Sequence, residues 1–301
     1  MEKRSIIHMF DPMPNNSPFD VNMAVDAGFD VLMPYSNVKL DSVYGLTQDA
    51  IFSRGPAGVK RTGIFIGGRD LGLAMDMLNA SRHAMVPPFE VSVFTDPSGA
   101  FTTAAALVAC VEKELKTRHG KGLKDCNALV FGGTGPVGIA TGVIASLAGA
   151  KTALVDHLSL DTAEDVAKAY NRRFAATLTG ACARSDAEKI GLLKEADIVF
   201  CTAKAGIQVL SASVLKETVR LKVAGDVNAV PPLGIEGIKR NDLGMPLLHA
   251  VNAPGAVGVG ALAVGNVKYQ LQHSMLKLML ETERPLYLDF RAAFDQAREI
   301  V

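Results

Sequence analysis

The sequence predicts an α/β protein built from two units, each with a parallel sheet. Short apolar runs alternate with helical runs along the 301 residues, and parallel strands need helical crossovers of this kind. A glycine-rich stretch at 132–138 separates one apolar run from the helix that follows it. A chain of this length has enough interior for one large domain or two ordinary ones.

The elements of the second half follow from this alternation. Asn127–Phe131 is an apolar run of the length expected for a buried strand, and an apolar helix, Pro136–Ala148, follows the glycine stretch. The same criteria predict strands at Thr152–Val155, Asp197–Cys201 and Leu221–Ala224, and helices at Ala163–Phe174, Asp186–Lys194 and Ser211–Glu217.

The first hundred residues show a similar pattern. It predicts strands at Ser5–Met9, Gly63–Ile66 and Val91–Phe94, and helices at Val21–Gly28 and Leu71–His83.

Two long helical stretches, Thr102–Arg118 and Ala261–Glu281, connect the two halves of the pattern. We therefore expect one domain from residues 1–108 and 267–301 and a second from residues 109–266. A cleft between two domains is a usual place for a ligand.

Charge and cysteine content limit the classes of partner. The 31 basic and 31 acidic residues give a formal net charge of zero, so no electrostatic attraction favours nucleic acid or an anionic membrane surface. The four cysteines are too few for a disulfide framework and too scattered for a metal site. No apolar segment typical of a signal peptide precedes Asp11. We expect a cytoplasmic protein with reduced thiols that binds a small molecule and no nucleic acid.

Two uncharged stretches, 126–150 and 245–267, are each long enough to cross a membrane. The first contains six glycines, and the second contains four glycines and two prolines. Because such residues pack poorly in a lipid-facing helix, both stretches are better explained as buried strands, loops and helix starts. We expect no membrane association.

The glycine stretch contains the pattern GxGxxG at Gly133, Gly135 and Gly138. Between a strand and a helix, this pattern predicts a dinucleotide-binding loop, with the pyrophosphate at the helix N-terminus. Pro136 suits the first helical turn, where its missing N–H costs nothing. The loop and the first turn that would contact the cofactor also include Thr134 and Val137. A tight turn without a ligand is the alternative.

Asp156 follows the second strand of this unit, about 20 residues after the loop, where such folds place the residue that reads the ribose. A carboxylate there accepts hydrogen bonds from the adenosine hydroxyls and repels a 2′-phosphate. The sequence therefore favours NAD over NADP. His157 would partly offset that repulsion if protonated, so NADP stays possible. A solvated loop aspartate is the alternative.

Five further strings carry a family resemblance. They begin at Ser17 (SPFDV), Thr62 (TGIFIGG), Asp96 (DPSGAFTTA), Gly225 (GDVNAVPPLGI) and Gly258 (GVGALAVGNVK). Together they closely resemble the bacterial NAD(P)-dependent methylene-tetrahydromethanopterin dehydrogenases of methylotrophs, nearest to the type that serves formaldehyde oxidation and accepts either cofactor. The resemblance spans essentially the whole chain.

The resemblance implies an enzyme with a Rossmann-type parallel-sheet cofactor domain and a second, pterin-facing α/β domain. The reaction is the transfer of hydride from methylene-tetrahydromethanopterin to NAD(P)⁺. Relatives suggest a homo-oligomer, a trimer or hexamer. The cofactor would also contact Ala203 and Lys204, after the strand Asp197–Cys201, where family members tend to carry Ala-Gly.

Several polar residues are candidates for binding the pterin. Asp20 can accept paired hydrogen bonds from the pterin N–H edge, or it can cap the helix that starts at Val21. Thr102 and Thr103 open a long helix, which they could cap, or they could offer hydroxyls to the substrate. Asp226 and Asn228 follow a strand end, a position where α/β sheets bind ligands, so we expect them to contact the nicotinamide or the pterin.

Hydride loss from a carbon between two nitrogens leaves a cation that both lone pairs stabilise. No proton leaves in that step, so neither an acid–base relay nor a metal is required. The six histidines show no metal-ligand spacing. Two other functions stay open: a methylene-tetrahydrofolate dehydrogenase, and a non-catalytic NAD-binding regulator that would need only the glycine loop.

Lys268 matches the family's active-site lysine by its place in Gly265-Asn-Val-Lys-Tyr, although a surface helix lysine is the alternative. An ammonium beside a developing cation is unfavourable. We therefore expect it to bind a pterin oxygen or carboxylate, or to lose its charge.

The substitution Lys268→Ala should lower kcat severely and leave NAD affinity nearly intact, as measured by steady-state kinetics and cofactor titration. Unchanged turnover would remove Lys268 from the mechanism.

Overall fold

The structure, a computed structural model, describes residues 3–301. The chain forms two compact units, one from Met1–Thr102 and Tyr269–Gln296 and the other from Thr103–Lys268 and Ala297–Val301. The expectation about a signal peptide falls in part on residues 1–2, which lie outside the described residues. None of the helices within residues 3–301 is long and apolar enough to cross a membrane.

The first unit contains a five-stranded parallel sheet in the order β12-β4-β3-β1-β2. Its central strands are buried, as expected for a parallel sheet covered on both faces. The strands are β1 (Ile6–Phe10), β2 (Val31–Tyr35), β3 (Thr62–Ile66), β4 (Ser92–Thr95) and β12 (Tyr287–Leu288). The helices that lie within its segments are α1 (Pro18–Asp26), α2 (Leu40–Phe52), α3 (Gly55–Val59) and α4 (Leu71–His83).

The second unit contains a seven-stranded sheet in the order β10-β11-β9-β8-β5-β6-β7, in which β10 is antiparallel to its neighbour and the rest are parallel. The strands are β5 (Asn127–Phe131), β6 (Lys151–Asp156), β7 (Leu178–Cys182), β8 (Ile198–Cys201), β9 (Val223–Asp226), β10 (Leu243–Pro246) and β11 (Val257–Val259). The helices are α6 (Pro136–Leu147), α7 (Leu160–Phe174), α8 (Asp186–Leu193) and α9 (Ala212–Lys216).

Three helices carry the chain from one unit into the other: α5 (Ala100–His119), α10 (Ala261–Glu281) and α11 (Phe290–Ile300). The α/β architecture with two mostly parallel sheets matches the predicted fold class. Along the second sheet the strand order reverses between β5 and β8, since β6 and β7 lie on one side of β5 while β8 and β9 lie on the other. Ligands of doubly wound sheets bind at the carboxyl ends of the strands beside such a reversal.

Some helices and strands were not predicted from the sequence. β2 contains Pro34, which is tolerated because the strand lies at a sheet edge. β7 contains Gly180, whose missing side chain lets the strand lie against the backbone of Glu164 on α7. The helices α2 and α11 were also missed. The predicted starts of α1 at Val21 and α5 at Thr102 were wrong, because these helices begin three and two residues earlier.

Candidate cofactor site

A pocket of about 320 Å³ lies in the second unit, where β5, β6 and β8 end. The pocket therefore lies beside the strand-order reversal, the position where doubly wound sheets bind ligands. Its wall includes apolar residues from the strand ends, such as Phe131 and Val155, and the loop after β8. Six residues predicted to bind the cofactor line it: Thr134, Gly135, Asp156, His157, Ala203 and Lys204.

Two glycines of the predicted loop are required by the protein's own packing. A Cβ at Gly133 would lie 2.6 Å from the carbonyl oxygen of Val130. A Cβ at Gly138 would overlap with the carbonyl oxygen of Gly132 and lie 2.8 Å from the Cα of Gly133. These contacts involve backbone atoms that cannot move aside, so both positions exclude a side chain and bring α6 against the loop.

Gly135 differs from these two glycines. A Cβ there would lie 3.5 Å from the carbonyl oxygen of Gly132, which is ordinary contact, and its φ of −82° is open to any residue. The protein's own packing therefore does not explain the glycine, whereas a ligand lying against the backbone would. Gly135 is the N-cap of α6, and Pro136 and Val137 form its first turn. The partial positive charge of that helix end suits a pyrophosphate.

Hydrogen bonds and close backbone contact hold the loop after β8 against the glycine loop. Thr202 donates its hydroxyl hydrogen bond to the carbonyl oxygens of Phe131 and Gly132, at 3.0 and 3.2 Å. Gly132 has φ +72°, and a Cβ on it would lie 2.7 Å from the backbone of Ala203. The two loops that flank the pocket therefore share one backbone contact. Thr202 is not among the cofactor residues predicted from the sequence, although its position directly after a strand was the available signal.

Asp156 is buried at the end of β6 and holds the turn that follows it. Its Oδ1 accepts hydrogen bonds from the backbone N–H groups of Leu158 and Ser159, at 2.8 and 3.0 Å, and its Oδ2 accepts one from the Thr134 hydroxyl at 2.8 Å. Burial raises the pKa of Asp156, but these hydrogen bonds and His157 outweigh it, so the pKa is lowered overall. The carboxylate is charged at neutral pH and joins the glycine loop to β6.

Asp226 and Asn228 bind the loop that follows β9. Asp226 is buried and accepts hydrogen bonds from the backbone N–H groups of Asn228 and Ile235, at 2.9 and 3.1 Å. Burial raises the pKa of Asp226, and its hydrogen bonds, including one from the Cys201 thiol, only partly offset this rise. The Asn228 side chain accepts from the N–H of Gly206 and donates to the carbonyl oxygen of Pro232. Both residues therefore shape the loop, and contact with a ligand stays a prediction.

Asp20 lies in the first unit, where it is the third residue of α1 and buried. The capping interpretation was wrong, because α1 begins at Pro18 and its N-cap is Ser17. Asp20 instead accepts a hydrogen bond of 2.7 Å from the side-chain amide of Gln272, which is itself fully buried. This pair is a buried polar contact between α1 and α10 that the sequence did not reveal, since the two residues are 252 positions apart.

The capping function expected of Thr102 belongs to Asp96. Asp96 is fully buried and accepts hydrogen bonds from the backbone N–H groups of Phe101 and Thr102, and from the Thr102 hydroxyl at 2.6 Å. Thr102 is therefore engaged inside the first unit, while Thr103, the next residue of α5, is half-buried. Lys268 is half-buried in the first half of α10. Their contacts with substrate stay predictions.

Among residues 3–301, no group of three or more His, Cys, Asp or Glu side chains is placed to hold a metal ion.

The difference between the loop glycines can be tested by two alanine substitutions. Gly138→Ala should destabilise the protein by about 1–3 kcal/mol, because the new methyl group overlaps with backbone. Gly135→Ala should change stability by less than about 1 kcal/mol but raise the dissociation constant of NADH at least about tenfold, since the methyl group takes the ligand's space. Thermal unfolding and NADH fluorescence titration measure the two effects. Wild-type NADH affinity in Gly135→Ala would show that no ligand approaches that backbone.

Comparisons with known proteins cover both units. The family model described as methylene-tetrahydromethanopterin dehydrogenase, N-terminal, matches residues 18–98. The NAD(P)-dependent methylenetetrahydromethanopterin dehydrogenase of Methylorubrum extorquens is 46% identical over 297 residues, which is 99% of each chain. The bifunctional protein MdtA of the same organism is 31% identical over the same share of both chains.

Solved structures support the fold. The ligand-free 5-ketofructose reductase of Gluconobacter sp. strain CHM43 matches with a TM-score of 0.51 at 16% identity, over 99% of each chain. Shikimate 5-dehydrogenase from Listeria monocytogenes, solved with shikimate and NAD, matches with a TM-score of 0.51 at 14% identity, over 99% of this chain and 96% of that one. At this level of identity the likeness concerns architecture alone. The full-length identity of 46% to the Methylorubrum enzyme goes further, and the chain belongs to the family of NAD(P)-dependent methylenetetrahydromethanopterin dehydrogenases.

Proposed function

We propose that this chain transfers a hydride from methylene-tetrahydromethanopterin to NAD⁺ or NADP⁺, giving methenyl-tetrahydromethanopterin, as a step of one-carbon (formaldehyde) oxidation. The observation that carries the proposal is the 46% identity to the Methylorubrum enzyme over 99% of both chains. A similarity of this extent includes the first unit as well as the dinucleotide-binding pattern. A protein that kept only a cofactor-binding function would not need both.

In this proposal the second unit binds the cofactor. Bound NAD(P)⁺ supplies the hydride acceptor. The N-terminus of α6 and the open backbone at Gly135 suit its pyrophosphate. Asp156 suits the adenosine ribose, because its carboxylate is held in place by three hydrogen bonds and stays charged. The protein's contribution is to fix the orientation of the cofactor and to exclude water.

The first unit supplies the pterin half. Asp20 is our candidate for the pterin N–H donors, because a buried carboxylate forms strong charge-assisted hydrogen bonds. Gln272 holds one carboxylate oxygen at 2.7 Å and thereby limits how the side chain can rotate. Thr102 is a further candidate for substrate contact in this unit, and Thr103, Asp226, Asn228 and Lys268 are candidates from the second unit. In this assignment residues 1–108 and 267–301 face the pterin, and residues 109–266 bind the dinucleotide.

The proposed hydride transfer requires little acid–base catalysis from the chain. The hydride leaves a carbon flanked by two nitrogens, whose lone pairs stabilise the cation, and no proton is lost in the step. We propose that Lys268 binds the pterin away from that carbon, since an ammonium beside a growing positive charge would raise the barrier. We also propose a cytoplasmic homo-oligomer that binds no nucleic acid, in keeping with zero formal net charge and four free cysteines.

The proposal is tested by following the absorbance of NADH or NADPH at 340 nm with purified protein. Methylene-tetrahydromethanopterin should support turnover with either cofactor, and kcat/KM should exceed that for methylene-tetrahydrofolate by more than tenfold. The ratio for the two carriers is the informative quantity, because both lose hydride by the same chemistry. A tenfold preference for the folate would assign the chain to that substrate instead. Tight NADH binding with no turnover of either carrier would favour a non-catalytic regulator.

Asp20→Asn tests the pterin half separately. The substitution keeps the shape of the side chain and an oxygen that can accept from Gln272, but it removes the charge. We expect the KM for methylene-tetrahydromethanopterin to rise about 10- to 100-fold, because hydrogen bonds to a charged group contribute about 1.5–3 kcal/mol. The NADH dissociation constant should stay within twofold. Asp26→Asn, at an exposed position of the same helix, is the matched control. Equal KM values in both variants would exclude Asp20 from pterin binding.

A further inference from the structure

Basic residues gather where the cofactor pocket meets the end of β6. His157, Lys189 and Lys204 line the pocket together with Asp156. Lys189 is not among the cofactor residues predicted from the sequence, because it lies on α8, well beyond Asp156 along the chain, and only the fold brings it to the pocket. A pocket with three basic side chains and one acidic side chain suits a ligand that carries several negative charges.

The Lys189 side chain is 20% exposed and pairs with Asp186 at 3.0 Å. The Asp186 side chain is 58% exposed, so solvent screens this ion pair and its net stabilisation is small. Because the pair is weak, the Lys189 ammonium can turn from Asp186 to an anionic ligand in the pocket at little cost in free energy.

Arg184 is a further cation, and it lies beside the turn that follows Asp156. The Nε of Arg184 donates a hydrogen bond to the carbonyl oxygen of Leu158 at 2.9 Å. Arg184 also comes two residues after the end of β7, whose last residue, Cys182, pairs with Asp156 in the sheet. The guanidinium is therefore held at the same strand ends as the ribose-binding carboxylate.

The hydrogen bonds of Asp156 explain why side-chain cations matter here. A phosphate on the adenosine ribose commonly binds backbone N–H groups, but Asp156 already accepts those of Leu158 and Ser159. A 2′-phosphate at this position would also face the negative charge of Asp156. Positive side chains that reach the same place are the remaining source of attraction.

We infer that Lys189, supported by Arg184, binds the 2′-phosphate of NADP and so allows this chain to use NADP even though Asp156 favours NAD. The inference rests on the proposed function, since it concerns the cofactor of that reaction. It assigns the two cofactors to different groups in one pocket: the ribose hydroxyls of NAD to Asp156, and the extra phosphate of NADP to Lys189 and Arg184.

The test uses two nucleotides that contain only the adenosine end of each cofactor. Titration calorimetry should give the dissociation constants of 2′,5′-ADP and 5′-AMP for the wild type and for Lys189→Met, which keeps the apolar stem of the side chain. We expect Lys189→Met to weaken 2′,5′-ADP about tenfold or more and to leave 5′-AMP within twofold. Arg184→Met should act in the same direction with a smaller effect. Lys194→Met, at the exposed C-cap of α8, should change neither constant.

Equal weakening of both nucleotides in Lys189→Met, or no weakening of either, would overturn the inference. Lys189→Gln provides a second variant if the methionine variant does not fold, and Lys189→Arg should retain 2′,5′-ADP binding within about threefold because it keeps the charge. These nucleotides carry no pterin, so the titrations do not depend on turnover. A chain that fails to oxidise methylene-tetrahydromethanopterin but shows these differences would contradict the proposed function alone.

Discussion

The cofactor site depends on a place where backbone packs directly against backbone. Gly132, Gly133 and Gly138 leave no room for a Cβ, and the loop after β8 fills the space beside Gly132 with its own main chain. Thr202 adds hydrogen bonds to the carbonyl oxygens at that contact. Because none of these groups can shift without breaking the others, the pocket wall is formed before any ligand arrives. Preorganisation of this kind lowers the cost of binding.

Asp156 belongs both to the scaffold and to the proposed ribose site. Its three hydrogen bonds connect the turn after β6 to Thr134 in the glycine loop. A ribose that binds Asp156 therefore meets a carboxylate whose position is fixed by the protein. The same hydrogen bonds lower its pKa, so its charge persists well below neutral pH. Discrimination between cofactors therefore does not depend on the protonation of Asp156 near neutral pH, and in our proposal the neighbouring cations decide it.

Sequence patterns predicted the strand–loop–helix at β5 and α6 and the ends of α4 and α10, because apolar periodicity and glycine spacing are local signals. The predicted residues of the glycine loop and of the end of β6 line one pocket, together with Ala203 and Lys204, which the family resemblance indicated. Features that depend on distant contacts escaped: the Asp20–Gln272 pair joins residues 252 positions apart, and Lys189 reaches the pocket only through the packing of α8. Of the two functions considered for Thr102, capping was wrong, because Asp96 accepts hydrogen bonds from the backbone N–H groups of Phe101 and Thr102 and also from the Thr102 hydroxyl.

The buried cysteine at the end of β8 has a consequence for oxidation chemistry. Cys201 is fully buried, and burial together with the adjacent Asp226 raises the pKa of its thiol, which donates to that carboxylate. Peroxide and alkylating reagents attack thiolates, and such a thiol forms almost none. Cys182 lies at the edge of the sheet and is half-buried, next to Ala183 in the pocket wall. Cys201 directly precedes Thr202 of the pocket wall but forms almost no thiolate. Inactivation by such reagents that the dinucleotide prevents would therefore point to Cys182.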